Sequence, residues 1–179
     1  LKIMAGLEEP DEGTRSMRRQ LRIGYVPQDP SFDGAHTVEE VLAQVLIDEG
    51  HDPHDYRGRT SAALSLGEFP ATDQSTATLS GGWKKRLAIV RSLMLEPDVL
   101  LMDEPTNHLD VEGILWLERL LRAEARAFFV VSHDRRFLEA VTSRMIELNR
   151  SYPAGVFEAK GNYSDFLEQR DAALHAQAN

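Results

Sequence analysis

The stretch VLLMDEPTNHLD, residues 99–110, decides the fold of this 179-residue chain. Its four leading apolar residues predict a buried strand that runs directly into Asp103 and Glu104. A carboxylate at the carboxyl end of a parallel strand can hold a magnesium ion, while its neighbour, which points the other way, can polarise an attacking water. An acidic pair alone would more simply be a solvated turn, but the complete DEPTNHLD sequence favours phosphate chemistry.

A second stretch, LSGGWKKR at residues 79–86, places Ser80, Gly81 and Gly82 immediately before a helix predicted over residues 83–94. Backbone amides at the start of a helix form an anion site. A serine cap followed by flexible glycines is the alternative for such a stretch on its own. Its position upstream of the strand that ends at Asp103 favours the anion site.

Two further polar residues follow predicted strands. Gln28, in YVPQDP, follows a strand predicted over residues 21–26 and offers a donor and an acceptor to a metal-bound water. His133, in VVSHDRRF, follows a strand predicted over residues 128–131 and could donate a hydrogen bond to a terminal phosphate. Either residue alone would more simply be structural, so their functional interpretation depends on the two stretches described above.

The remaining pattern predicts a single α/β domain with a mainly helical insert. Two apolar runs flank the amphipathic VEGILWLERLLRAEA, and strand, helix, strand suggests a parallel sheet. Short helical segments fill residues 37–78. A helix ends at Gly6, two short strands surround a turn at residues 151–155, and a polar helix begins near Tyr163.

Composition excludes several classes of protein. A formal charge of -9, from 29 acidic and 20 basic residues, argues against a surface whose affinity comes mainly from nucleic-acid phosphates. The absence of cysteine excludes disulfides and thiolate metal sites, and fits a reducing cytosol. The apolar runs are far shorter than the roughly 20 residues of a membrane helix, so no membrane insertion is expected.

The four stretches, in this order, resemble the ATP-binding-cassette (ABC) ATPases over essentially the whole chain. In that family's terms, Gln28 matches the Q-loop, LSGGW the signature, VLLMDE the Walker B strand, Asp110 the D-loop and His133 the switch histidine. The resemblance implies ATP and Mg²⁺ as ligands. The implied catalytic residues are Glu104, His133 and Gln28; the implied metal ligands are Asp103 and Gln28; the implied nucleotide-binding residues are Ser80, Gly81, Gly82 and Asp110.

The resemblance also implies a P-loop NTPase core with a parallel sheet and a mainly helical subdomain. Residues 1–28 and 97–150 would form part of the ATPase core, and residues 29–96 the helical signature subdomain. Residues 151–179 would form a terminal hairpin and the start of an interdomain linker helix. Leu1 is not an initiator Met and no secretory leader follows it, so both ends are interpreted as cuts. The family's GxxGxGKST loop, Walker A, and the amino-terminal strands are missing from the sequence, so the isolated chain is expected to be inactive.

Finer detail resembles the first cassette of the ABC-F proteins, which are tandem ATPases that act on the ribosome. The resemblance lies in Trp83, Asn107, His108 and the terminal GNYSDFLEQRDAAL. The implied partners are a second cassette, in the same chain or as a homodimer, and the ribosome or its RNA. The energy subunit of a transporter is the main alternative. A degenerate cassette that only binds nucleotide is disfavoured by the presence of Glu104 and His133.

Weaker signals have simpler structural explanations. Lys84, Lys85 and Arg86 are interpreted as the polar face of a helix, with ribosomal RNA contact as the alternative. The sequence HDPHD at residues 51–55 is interpreted as a solvated loop, since Pro53 interrupts the helical spacing that a metal cluster would need. Trp116 is expected in the core.

Overall fold

A computed structural model describes residues 1–33, 36–152 and 154–177. Gly34 and Ala35 of the predicted helical subdomain, and Pro153, Ala178 and Asn179 of the predicted terminal segment, lie outside the described residues. The chain folds as two compact units, Leu1–Val131 and Ser132–Asn179. The predicted domain boundaries stay a prediction.

The first unit combines a parallel sheet with helices. Its described elements, in chain order, are helix α1 (Lys2–Ala5), strand β1 (Ile23–Val26), helix α2 (Val38–Asp48), helix α3 (Pro53–Gly67), a 3₁₀ turn (Thr76–Thr78), helix α4 (Gly81–Met94), strand β2 (Val99–Asp103), helix α5 (Val111–Glu124) and strand β3 (Phe128–Val131). The alternation of strands and helices matches the α/β class predicted from the sequence.

The three strands form a sheet in the order β1-β2-β3, and both pairs are parallel. The central strand, β2, is buried on both faces at Leu100, Leu101 and Met102, as an all-parallel sheet requires. Val26 pairs with Met102, so β1 and β2 end at the same level. The carboxyl ends of the strands therefore share one edge of the sheet.

Helices α2 and α3 begin at strong caps. Thr37 and Glu40 form a reciprocal capping box at the start of α2. Asp52 caps α3, and Pro53 is its first residue. The loop predicted over residues 51–55 ends at Asp52, since Pro53 already belongs to α3. A proline at the first helical position has no amide that needs a partner and is already at a helical φ.

Helix α4 is buried on nearly every side, and the expectation that Lys84, Lys85 and Arg86 form a polar face was wrong for two of the three. Lys85 is 0% exposed and Arg86 is 8% exposed. The Arg86 guanidinium lies 4.9 Å from the ring centroid of Trp83 and 4.5 Å from that of Trp116. Its Nη1 donates to the carbonyl of Gly67 at 3.3 Å, so this cation joins α3, α4 and α5.

Trp116 lies in the core as expected, at 3% exposure. Its indole Nε1 donates to the carbonyl of Leu66 at 2.9 Å, which satisfies the one polar group of the ring. Helix α5 is thereby joined to the end of α3.

The second unit contains helix α6 (Arg135–Val141), strands β4 (Arg144–Leu148) and β5 (Val156–Lys160), and helix α7 (Tyr163–Gln177). The two strands pair antiparallel, with Arg144 opposite Lys160. The hairpin and the helix at Tyr163 confirm the sequence prediction. None of the described helices is both long and apolar enough to span a bilayer.

Candidate functional site

Two predicted site residues lie at the shared edge of the sheet. Asp103 is the last residue of β2. Gln28 lies two residues after the end of β1, the strand next to β2. Gln28 is exposed and Asp103 is half-buried. Burial raises the pKa of the neighbouring Tyr25 hydroxyl, and the negative charge of Asp103 adds to that rise. The structure thus brings Gln28 and Asp103 to one edge; their roles stay predictions.

Glu104 leaves the strand in an unusual backbone conformation. Its φ is +43°, in the left-handed region, where residues other than glycine are uncommon. The turn is held on both sides, because the Glu104 amide donates to the Val131 carbonyl at 2.8 Å and its own carbonyl accepts from the Asn107 amide at 3.2 Å. The side chain is buried, at 7% exposure. Such backbone strain is concentrated at functional sites in proteins.

The signature turn precedes α4 and is open to solvent. Ser80 caps the helix by accepting a hydrogen bond from the Trp83 amide at 3.4 Å, and Ser80 and Gly81 are exposed. The helix starts two residues earlier than predicted, because Gly81 and Gly82 are both helical. Their backbone amides are therefore among the first of the helix. An exposed amino-terminus of a 14-residue helix can bind an anion.

Close packing against the loop that follows Glu104 leaves no room for a side chain at Gly82 and little room for one at Gly81. A Cβ built on Gly82 would lie 2.7 Å from the carbonyl oxygen of His108, and one on Gly81 would lie 3.1 Å from the His108 side chain. A backbone oxygen cannot rotate away as the end of a long side chain can. The signature turn and the DEPTNHLD loop therefore touch directly.

The signature turn and the predicted D-loop residue line one open cleft of about 370 Å³. Ser80, Gly82, Trp83, His108 and Asp110 are among its lining residues. Asp110 also has a structural task, since its Oδ1 accepts from the Gly113 amide at 2.7 Å and caps α5. The structure thus brings three of the four predicted nucleotide-binding residues to the same cleft, with Gly81 between two of them.

Sequence analysis missed the position of His108. Its φ is +67°, and its Nε2 lies 3.7 Å from Oδ1 of Asp29, the residue that follows Gln28. His108 therefore contacts the signature turn on one side and the loop after β1 on the other. Its sequence context indicated a family branch but carried no signal for this geometry.

Sequence analysis also missed Lys85. Its Nζ donates to the backbone carbonyls of Pro27 at 2.9 Å and of Gln28 at 2.5 Å. Burial lowers the pKa of Lys85, and the negative charges of Asp29, Asp103 and Glu104 oppose that shift. The signal available in the sequence was the run LAIV at residues 87–90, which predicts a helix covered on all sides.

His133 belongs to the second unit, two residues beyond β3 along the chain. It stands directly before Asp134, whose Oδ1 accepts from the amides of Arg136 and Phe137 and so caps α6. The predicted role of His133 beside a terminal phosphate stays a prediction.

The donor set at the sheet edge fits magnesium better than a transition metal. Asp103 and Gln28 offer oxygen ligands, which Mg²⁺ prefers, and Mg²⁺ commonly takes one or two protein ligands together with waters and substrate phosphates. Among the described residues, no group of three or more His, Cys, Asp or Glu side chains could hold a metal ion, and this includes residues 51–55. A metal here would depend on a bound phosphate for its remaining ligands.

Comparison with known proteins gives a consistent family. The profile of the family described as "ABC transporter" matches residues 1–107. Energy-dependent translational throttle protein EttA of Escherichia coli K12 is 34% identical over 215 residues, which cover 100% of this chain and 38% of the relative. Uncharacterized ABC transporter ATP-binding protein YfmR of Bacillus subtilis 168 is 34% identical over 213 residues, covering 99% of this chain and 33% of the relative. The chain thus spans less than two fifths of these relatives.

Solved structures share the fold. An ATP-binding cassette solved as a dimer in a post-hydrolysis state with ADP and Pi matches with a TM-score of 0.71 and 25% identity, over 89% of this chain and 78% of that one. The protein cbiO1 from Clostridium perfringens, part of an ABC transporter complex, matches with a TM-score of 0.74 and 23% identity, over 99% of this chain and 77% of that one. The second likeness shows the fold alone.

Proposed function

This chain belongs to the ATP-binding-cassette ATPase family, and on that premise we propose that it is a first cassette of an ABC-F type ATPase that acts on the ribosome in the cytoplasm. The observation that carries the ATPase part is the sheet edge. Gln28 lies beyond the end of β1, and Asp103 and the strained, buried Glu104 lie at the end of the neighbouring parallel strand β2. The 34% identity to a translational throttle protein over the whole chain supports the ribosomal part.

The chemistry follows from the placement of each group. Asp103 and Gln28 would hold Mg²⁺, which when bound supplies positive charge to phosphate oxygens. Glu104, which follows Asp103 in the chain and is buried, accepts the proton of the water that attacks the terminal phosphate. His133 donates a hydrogen bond to that phosphate. Burial of Glu104 excludes bulk water, which strengthens its interaction with the attacking water.

The signature turn would act on a nucleotide held by a second cassette. Ser80 and Gly81 are exposed at the amino-terminus of α4, where backbone amides can receive phosphate oxygens from outside this chain. Asp110 lines the same cleft and would border that nucleotide. The matching cassette that was solved as a dimer supports a paired arrangement. The second cassette could be part of the same parent chain or a second copy.

A transporter subunit is the second candidate function. It is supported by the description of the matching family and by the name of YfmR. The two roles differ in gene context: a second cassette in the same reading frame supports the ribosomal role, and an adjacent permease gene supports transport.

The test is the substitution Glu104→Gln in the full-length protein. Removing the base should lower the ATPase turnover by about 10²- to 10⁴-fold while ATP binding is retained. The protein should then co-sediment with ribosomes in the presence of ATP more than in its absence. Glu39→Gln, at an exposed carboxylate on α2, is the control and should hydrolyse ATP normally.

Two results would contradict the proposal separately. Unchanged turnover in the Glu104→Gln protein would remove Glu104 as the general base. Ribosome co-sedimentation that does not respond to ATP would contradict the ribosomal role while leaving the ATPase assignment intact.

A further inference from the structure

Lys85 connects two parts of the molecule that the proposed function uses separately. It lies one helical turn after Gly81 on α4, so it is attached to the signature turn by rigid helix. Its ammonium group donates to the carbonyls of Pro27 and Gln28, at the loop that leaves β1. The same side chain therefore joins the signature turn to the backbone of the Q-loop residue.

The burial of this cation has to be compensated. Lys85 is 0% exposed, and a buried ammonium without partners is strongly unfavourable. Two carbonyl oxygens at 2.9 and 2.5 Å provide charge-assisted hydrogen bonds, and the negative charges of Asp29, Asp103 and Glu104 favour the charged form. A leucine or methionine would fill the space at lower cost, so packing alone does not explain a lysine here.

Within the described ranges, the loop that Lys85 binds has no strand partner. Pairing of β1 with β2 stops at Val26, so strand hydrogen bonds do not hold the backbone of residues 27 and 28. Another side chain of α4, Ser92, donates to the carbonyl of Tyr25 at 3.4 Å, inside the strand. Lys85 differs from Ser92 because its acceptors lie beyond the end of β1, next to the Gln28 side chain.

We propose that Lys85 is a positioning residue that fixes Gln28 relative to the signature turn. Gln28 belongs to the chain's own nucleotide site, and the signature turn faces the nucleotide of a partner cassette. Lys85 would therefore hold these two sites at a fixed distance and orientation. This inference rests on the proposed ATPase function. Lys85 acts through the backbone of residue 28 and needs no contact with ATP. Its loss should therefore affect turnover more than nucleotide affinity.

The experiment compares Lys85→Met, Lys85→Gln and Lys85→Arg in the full-length protein. Loss of the hydrogen bonds from Lys85 to the carbonyls of Pro27 and Gln28 should lower kcat by about tenfold to a hundredfold in the Met and Gln variants, as expected for a misplaced catalytic group. The KM for ATP should change much less. Arginine keeps a cation and several donors, so Lys85→Arg should recover much of kcat. Should the Met variant fail to fold, the Gln and Arg variants still provide the comparison.

A second readout does not depend on activity. Amide hydrogen exchange should become faster at residues 28–33 in the Gln and Met variants, while the amides of β2 exchange as in the wild type. Ser92→Ala is the matched control, because it removes a hydrogen bond between α4 and β1 but leaves the hydrogen bonds of Lys85 to the loop. Amide exchange at residues 28–33 and kcat should therefore stay near the wild-type values.

Each outcome decides between the alternatives. Unchanged exchange at residues 28–33 in Lys85→Gln, or equal loss of kcat in Lys85→Gln and Ser92→Ala, overturns the positioning role. Faster exchange throughout β2 also overturns it, because the lysine would then stabilise the sheet generally. If the wild-type protein has no ATPase activity, the proposed function is contradicted instead. The exchange measurement still tests whether Lys85 holds the loop at residues 27 and 28.

Discussion

Gly82 is the residue at which the signature turn is most sensitive to added volume. In Gly82→Ala the new Cβ would lie 2.7 Å from the His108 carbonyl oxygen, so the turn or the DEPTNHLD loop must move. We expect a loss of about 1–3 kcal/mol in the free energy of unfolding, as for overpacked sites, and a loss of ATPase turnover in the full-length protein. Urea unfolding of the isolated chain and steady-state ATPase assays measure the two effects.

Gly58→Ala is the matched control, because a Cβ on this α3 residue meets no atom within 4 Å. Alanine is the better helix former, so this variant should be stabilised by about 0.5–1 kcal/mol. Equal stability of Gly82→Ala and the wild type would contradict the close contact between Gly82 and His108.

At the level of single residues, the sequence predicted which residues lie at the sheet edge better than it predicted which side chains are buried. Asp103 and Gln28 could be placed because each lies at or near the carboxyl end of a strand, and parallel strands end at one edge. Lys85 and His108 could not, because their partners, the carbonyls of residues 27 and 28 and the side chain of Asp29, are distant in sequence. A run of basic residues on a helix is usually solvated; here three helices meet around it and bury two of its three members.

Among the elements, the starts of the three strands are joined by Asp98. Its carboxylate accepts from the Arg22 amide, just before β1, at 3.0 Å and lies 3.5 Å from the Arg126 guanidinium, before β3. The hydrogen bond from the Arg22 amide lowers the pKa of Asp98 below its ordinary value of 3.8, and the nearby arginine charges lower it further. The folded state therefore favours the ionised form, so this stabilisation is complete above pH 3.8 and is lost as the pH falls through the lower, folded-state pKa.

The substitution Asp98→Asn tests this connection. The variant should unfold at lower urea concentration than the wild type at neutral pH, and the difference should shrink as the pH falls below the ordinary pKa of the carboxyl group. Urea titrations of the isolated chain at a series of pH values measure it. Asp73→Asn, at an exposed carboxylate, is the control. A stability difference that is the same at every pH would mean that the charge of Asp98 plays no part.

Element types were predictable, whereas several element boundaries were not. The periodicity of VEGILWLERLLRAEA predicted α5 and the row of side chains that it buries. The apolar runs predicted β2 and β3. The start of α3 was missed because proline was read as an interruption rather than as a first residue, and α4 begins at Gly81 because the glycines join the helix. Capping chemistry thus decided the boundaries that periodicity left open.

At the scale of the whole molecule, family membership rests on the order of several stretches rather than on any one site. Gln28, the signature turn and Asp103 lie within the first unit, and His133 lies in the second. The sequence could predict this order because each stretch follows a recognisable strand or opens a helix. It could not predict the contacts between distant stretches, since these depend on the packing of α4 against its neighbours.

The 179-residue chain by itself should bind ATP only weakly. It contains no GxxGxGKST loop, the segment whose lysine and amides hold the β- and γ-phosphates in this family. The loss of about three charge-assisted hydrogen bonds, at roughly 1.5–3 kcal/mol each, should weaken ATP binding on the order of a thousandfold or more. Calorimetry with ATP and Mg²⁺ on the isolated chain, with the full-length protein as control, measures this. A low-micromolar Kd for the isolated chain would contradict this prediction, because the contacts at the sheet edge and from His133 would then hold nucleotide without the loop.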